Sequence, residues 1–198
     1  MSHKGFIWKL LISLLLFSNC APDQTILPLN DDEVKILESY ENLKSENQVR
    51  LCHESEPGER LLLCLKFISK ESKKPLRNQL VKLYHTSSSG NYEPSDPNDE
   101  STARLNGMVT TDEQGQAFIR SILPGAYGSS ASNRHIHTTV EGARPEAYDI
   151  HFKQYSGGMG KRFIAGSDQH FLADLKRSTQ NDLVSFLVIE VKNSAQSK

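Results

Sequence analysis

The stretch PGAYGSSASNRHIH, Pro124 to His137, sets a tyrosine on a Pro-Gly turn shortly before a His-x-His pair. On an extended strand, side chains two apart share a face, so His135 and His137 can converge on one ion while Ile136 and Val140 face a core. Imidazole suits several transition metals, and a bare His-x-His also fits two surface histidines on a half-exposed strand. A second tyrosine, Tyr92, follows a Gly-Asn turn in SSSGNYEP. Either tyrosine alone reads as a half-buried packing residue beside a turn. With the histidines, the two suit a hard, highly charged ion such as Fe(3+). Such an ion favours oxygen anions and holds phenolates deprotonated well below their free pKa of about 10. Two phenolates and a hydroxide would cancel its three charges. Two neutral imidazoles would complete a five-coordinate site with room for a substrate.

Strands must position these groups. LLLCLKFIS, from Leu61, is continuously apolar, as a strand buried on both faces would be. KESKKPLRN reads as its turn and QLVKLYHT as the next strand. MVTTDEQGQAFIRSIL reads as a hairpin, with an acceptor at Asp112 and glycine at Gly115 closing the turn. The histidine strand follows, then a strand from about Tyr148 to Gln154, a loop with Gly157, Gly158 and Gly160, and a last apolar strand, LVSFLVIEVK. Asp31 to Lys44 has helical spacing through Val34, Leu37 and Leu43, with Asp31 as cap. The pattern predicts an all-β chain, a single β-sandwich with a short N-terminal helix.

The first residues, MSHKGFIWKLLISLLLFSNC, read as a targeting segment: Lys4 and Lys9 precede a short apolar run, Leu10 to Phe17. Its end at Ser18-Asn19-Cys20 resembles a bacterial lipobox, which predicts cleavage before Cys20 and lipidation of its thiol. An ordinary secretory signal cut near Ala21 is the alternative. The lipid reading places the protein in a bacterial cell envelope, held to a membrane through Cys20 at the periplasmic face or cell surface. Export leaves Cys52 and Cys64, an even pair that predicts a disulfide closed over the Pro57-Gly58 turn. A metal thiolate pair is the other reading, with no further thiols to complete it. With 23 basic against 24 acidic residues, no overall field steers the chain to nucleic acid. Lys70, Lys73 and Lys74 read as a solvated turn. The expected organisation is a signal peptide over 1–19, a tether over 20–30, a helix and lead-in over 31–58, and the sandwich over 59–194.

The run from KKPLRNQLVKLYHTSSSGNYEP through ARLNGMVTTDEQGQAFIRSILPGAY to NRHIHTTV resembles the intradiol ring-cleavage dioxygenases, which share a prealbumin-like sandwich. A Gly-x-Tyr turn, an arginine-containing segment, a Thr-Asp-x-x-Gly turn, a Pro-Gly-x-Tyr turn and a His-Ile-His strand occur in that family's order. The resemblance implies Fe(3+) held by Tyr92, Tyr127, His135 and His137, with Tyr127 and His137 axial. It implies a catechol-type substrate that displaces the hydroxide and Tyr127, each taking up one substrate proton, and cleavage with O2 to a muconate-type dicarboxylate. Arg134 stands next to His135 as the counterpart of the family's substrate-stabilising arginine, and Gly128 stands where the family usually has proline.

Two other readings compete. His135-Ile-His137 with Glu141 matches a cupin core, but no second cupin motif follows, and both tyrosines go unexplained. A non-catalytic, lipid-anchored transthyretin-like module for binding or adhesion would share the strand and turn signals. His53, His85, His151 and His170 are scattered and read as surface histidines.

Overall fold

The computed structural model describes residues 25–128, 132–157, 166–192 and 194. The signal segment and Cys20 lie outside them, as do Gly158 and Gly160. The elements run β1 (Leu27–Pro28), α1 (Asp31–Glu41), β2 (Gln48–Arg50), β3 (Arg60–Ser69), β4 (Leu80–His85), β5 (Leu105–Thr110), β6 (Gln116–Ile122), β7 (His135–Val140), β8 (Ala147–Phe152), β9 (His170–Ala173), β10 (Lys176–Arg177) and β11 (Leu183–Val191). They form two sheets, one ordered β1-β10-β11-β3-β6-β2 and the other β5-β4-β7-β8-β9. The described residues form a β-sandwich with one α-helix. The stretches expected to be tether and lead-in each lend a short edge strand, β1 and β2. Among the described residues, no helix is long and apolar enough to cross a membrane.

Strand β3 shows why its sequence is apolar from Leu61 to Leu65. Leu61, Leu63, Leu65 and Phe67 fill the space between the sheets, against Leu83, Ile136, Ile150 and Ile189. Leu62 and Cys64 face the other way, into a second cluster with Phe118, Val184, and Leu37 and Tyr40 of α1. The helix starts at a capping box. Asn30, not Asp31, accepts from the Asp32 and Glu33 amides, and Glu33 accepts from the Asn30 amide.

Two expectations fail for topological reasons. The turn Asp112 to Gly115 does not close a hairpin, because β5 belongs to one sheet and β6 to the other. It is a corner that carries the chain across the sandwich. Nor are Cys52 and Cys64 bridged, since both are free thiols. Strands β2 and β3 flank β6 on opposite sides. Cys52, just past β2, is therefore about two strand spacings, roughly 9–10 Å, from β3, beyond disulfide reach. Cys64 is sealed beneath α1, while Cys52 stands 4.0 Å from the Ser121 hydroxyl. The lysine turn is solvated, with residues 71–74 exposed, and it also carries ion pairs, Lys70 to Asp168 and Lys73 to Glu190.

Candidate metal centre

The site stands on the outer face of the β5-β4-β7-β8-β9 sheet. Strand β7 alternates as its sequence requires, with Ile136, Thr138 and Val140 buried and His135 and His137 on the opposite face. Tyr92 and Tyr127 come from two turns that lie against each other. The Gly125 amide donates to the Ser87 carbonyl, which also takes the Gly90 amide. A Cβ on Gly90 would strike the Ala126 carbonyl, and one on Gly125 would strike the Gly90 backbone. Only glycines allow this approach, and it sets the Tyr92 and Tyr127 rings 5.2 Å apart. Arg104 braces the Tyr92 turn. It makes a two-pronged pair with Glu56 at 2.6 and 2.8 Å and reaches Glu93 at 2.6 Å, while its amide donates to the Tyr92 carbonyl.

Three of the four expected ligands converge. The His137 Nε2 lies 2.9 Å from the Tyr92 hydroxyl and 3.0 Å from the His135 Nε2. His137 Nδ1 lies 2.8 Å from Asp149 Oδ1, so its proton sits there and Nε2 presents a lone pair. Two donors crowding that single lone pair make a poor hydrogen-bond arrangement. The spacing matches ligands at right angles on one ion, which sit about 3 Å apart when each is about 2.1 Å from the metal. The donor set, two imidazoles and a phenol, fits a transition metal. The fourth group, Tyr127, is 41% exposed, and its hydroxyl donates to Glu100 Oε1 at 3.3 Å.

The electrostatics agree with that donor set. Burial first, and the facing His137 second, pull His135 down to about 4, which leaves a neutral imidazole. Burial, with Glu100 adding to it, pushes the Tyr92 phenol up, so only a cation in its place would ionise it. Burial also works against the Asp149 carboxylate, but the His137 hydrogen bond and the neighbouring imidazoles outweigh it and hold Asp149 below its ordinary value.

Arg134 does not join this group. Its guanidinium donates to the Pro124 carbonyl at 2.9 Å and lies over the Tyr155 ring, so its contacts go to the Pro124 turn and to the segment after β8. The scattered histidines are not all superficial. His85 is fully buried, His151 is 8% exposed, and His170 faces Asp149, whereas His53 is exposed. Asp149, absent from the sequence reading, is the cross-strand partner of His137, and Tyr84 is its partner on the other side. Tyr84 stacks on His137 with ring centroids 4.7 Å apart. A hairpin centred on Ala143 pairs 137 with 149, so that register was the available signal.

A family model described as "Dioxygenase" matches residues 39–198. The chain belongs to the intradiol dioxygenase family. It is 34% identical over 86 residues to a catechol 1,2-dioxygenase of Acinetobacter baylyi, a match covering 43% of this chain and 28% of that enzyme. The crystal structure of catechol 1,2-dioxygenase from Acinetobacter sp. ADP1 superposes with a TM-score of 0.54 at 20% identity, covering 74% of this chain and 57% of that one. An intradiol ring-cleavage dioxygenase from Tetranychus urticae gives 0.55 at 18% identity, covering 76% and 90%. These structures share the fold. The chain thus spans less than two thirds of the length of the two Acinetobacter catechol dioxygenases.

Proposed function

We propose that this chain is an Fe(3+) intradiol dioxygenase that opens catechol-type rings with O2, its ion held by Tyr92, Tyr127, His135 and His137. The observation that carries the reading is the convergence of Tyr92 and His135 on the one His137 nitrogen that Asp149 leaves unprotonated. When bound, a ferric ion supplies Lewis-acid activation of a chelated catecholate toward dioxygen. The protein's own groups set the rest. Asp149 holds the His137 tautomer, and Tyr84 stacked on His137 fixes the ring plane. Held as a phenolate on that ion, Tyr127, the most exposed of the four, would take the proton from one catechol hydroxyl, and Glu100 Oε1 is placed to accept from the resulting phenol. Arg134 acts through the Pro124 turn that carries Tyr127, as a positioning residue. A non-catalytic sandwich would have no use for this convergence.

The test uses full-length protein loaded with iron in air. Tyrosinate bound to iron absorbs visible light, so the expected result is a reddish protein with one iron per chain. Oxygen uptake should follow with catechol, protocatechuate or hydroxyquinol, together with a muconate ultraviolet band. Protein that stays colourless and iron-free would sink the site. Coloured protein whose spectrum no catechol alters would sink the reaction. We also infer export with a lipid on Cys20, supported by the charged and apolar leader. Labelled fatty acid should enter wild type and not Cys20→Ser; equal labelling overturns it.

A further inference from the structure

The four residues assigned to iron leave part of the same open face unused: the second oxygen of Asp149, His151 and His170. We propose that these three form a separate site for a divalent transition-metal ion of the zinc class. The inference goes beyond the dioxygenase reading and needs neither iron nor turnover.

The sheet builds the site by register. Asp149 and His151 stand two apart on β8 and so share a face. Strand β9 runs parallel beside β8 and pairs His170 with Asp149. One ligand atom from each of the three residues lies within 4.8 Å of the others. The His170 Nε2 to Asp149 Oδ2 distance is 3.6 Å. That is long for a charge-assisted hydrogen bond, about 2.8 Å, and close to the ~3.4 Å edge between two ligands on a tetrahedral ion. The His151 and His170 rings meet edge to face at 5.3 Å rather than stacking, so neither ring covers the other.

Chemistry narrows the occupant. Two imidazoles and one carboxylate, with a fourth position open, form the three-ligand pattern of zinc sites. A nitrogen-rich set selects zinc, copper or nickel over magnesium and calcium, which require oxygen. The site is half dry: His151 is buried, and the Asp149 and His170 side chains are only 26% and 19% exposed. A solvent-open cavity of about 310 Å³ at the β9 edge has His170 in its wall, though neither Asp149 nor His151 lines it. Asp149 would join the two centres, Oδ1 to His137 and Oδ2 to the second ion.

The experiment is zinc titration of the full chain by calorimetry, with metal counted by mass spectrometry. Cobalt serves as a coloured substitute for zinc. In His135→Ala, which lacks one ligand of the first centre, one zinc equivalent should remain. Adding His170→Ala or, in a second variant, His151→Ala should weaken it at least about tenfold and remove the tetrahedral cobalt bands. Melting curves recorded without metal show that each variant is folded, and either histidine variant suffices if the other is not. In iron-loaded wild type, zinc should bind without bleaching the iron colour. The inference is overturned if His135→Ala binds no zinc, or binds it equally well with and without His170. It is also overturned if zinc enters wild type only by displacing iron. A wild type without iron colour would sink the dioxygenase reading and leave the His135→Ala comparison to decide this one.

Discussion

The two sheets treat their outer faces in opposite ways. On the sheet containing β3, α1 closes over Leu62, Cys64, Phe118 and Val184, so that strand is apolar on both faces. On the sheet containing β7, no helix among the described residues covers the outer face, which carries Tyr84, His135, His137, Asp149, His151 and His170 across adjacent strands. A covered face must be apolar, because each buried polar group costs free energy unless it is hydrogen-bonded. A half-exposed face can hold titratable groups at cross-strand spacing, close enough to act together. In this molecule the helix-covered apolar face and the face with the candidate metal centre are opposite outer faces.

The sharpest way to break that contrast is a pair of truncations. His137→Ala should abolish iron colour and lower oxygen uptake more than about 100-fold, with stability changed by about 1 kcal/mol or less. Phe118→Ala should do the reverse, costing about 3–5 kcal/mol of unfolding free energy while the folded fraction keeps its colour. Denaturant melts beside metal counts check both. Equal loss of stability in the two variants would erase the distinction between the faces.

His85 tests the covered interior through pH. It is satisfied as a neutral ring, 2.7 Å from the Thr86 carbonyl and 2.6 Å from the Ser121 hydroxyl, and burial pulls it down to about 4 from 6.5. The unfolded chain therefore takes up the proton first. The stabilisation is complete above pH 6.5 and is lost as pH falls toward 4, on the order of 3 kcal/mol in all. His85→Gln should flatten stability across that window, read from denaturant midpoints at each pH. An unchanged pH slope would refute the assignment.

Two smaller changes refine the picture. Asp149→Asn removes the charge that holds the His137 tautomer and should weaken iron binding about 10–100-fold, measured by chelator competition. Asn30→Ala removes the α1 cap and should cost about 1 kcal/mol, with iron affinity unchanged, because the helix covers the face remote from the site.

Alternation and composition are local properties, and the chain displays them openly. His135 and His137 share a face because successive strand side chains point opposite ways. Leu61 to Leu65 must be buried on both faces because each of those positions is apolar. The two glycine turns announce where the tyrosines stand. What the chain cannot display is which strands become neighbours. Strand β6 inserted between β2 and β3 separates the cysteines, and the corner at Asp112 divides two strands that looked like a hairpin. The parallel pairing of the four-residue β9 with β8 brings His170 to Asp149 across 21 residues of chain. Strand order and register are settled by the competition of all strands for one core, a non-local balance. For that reason the four residues proposed to hold iron were legible from sequence, while the placement of Asp149, Glu100 and the two histidines of β8 and β9 beside them came only from the tertiary structure.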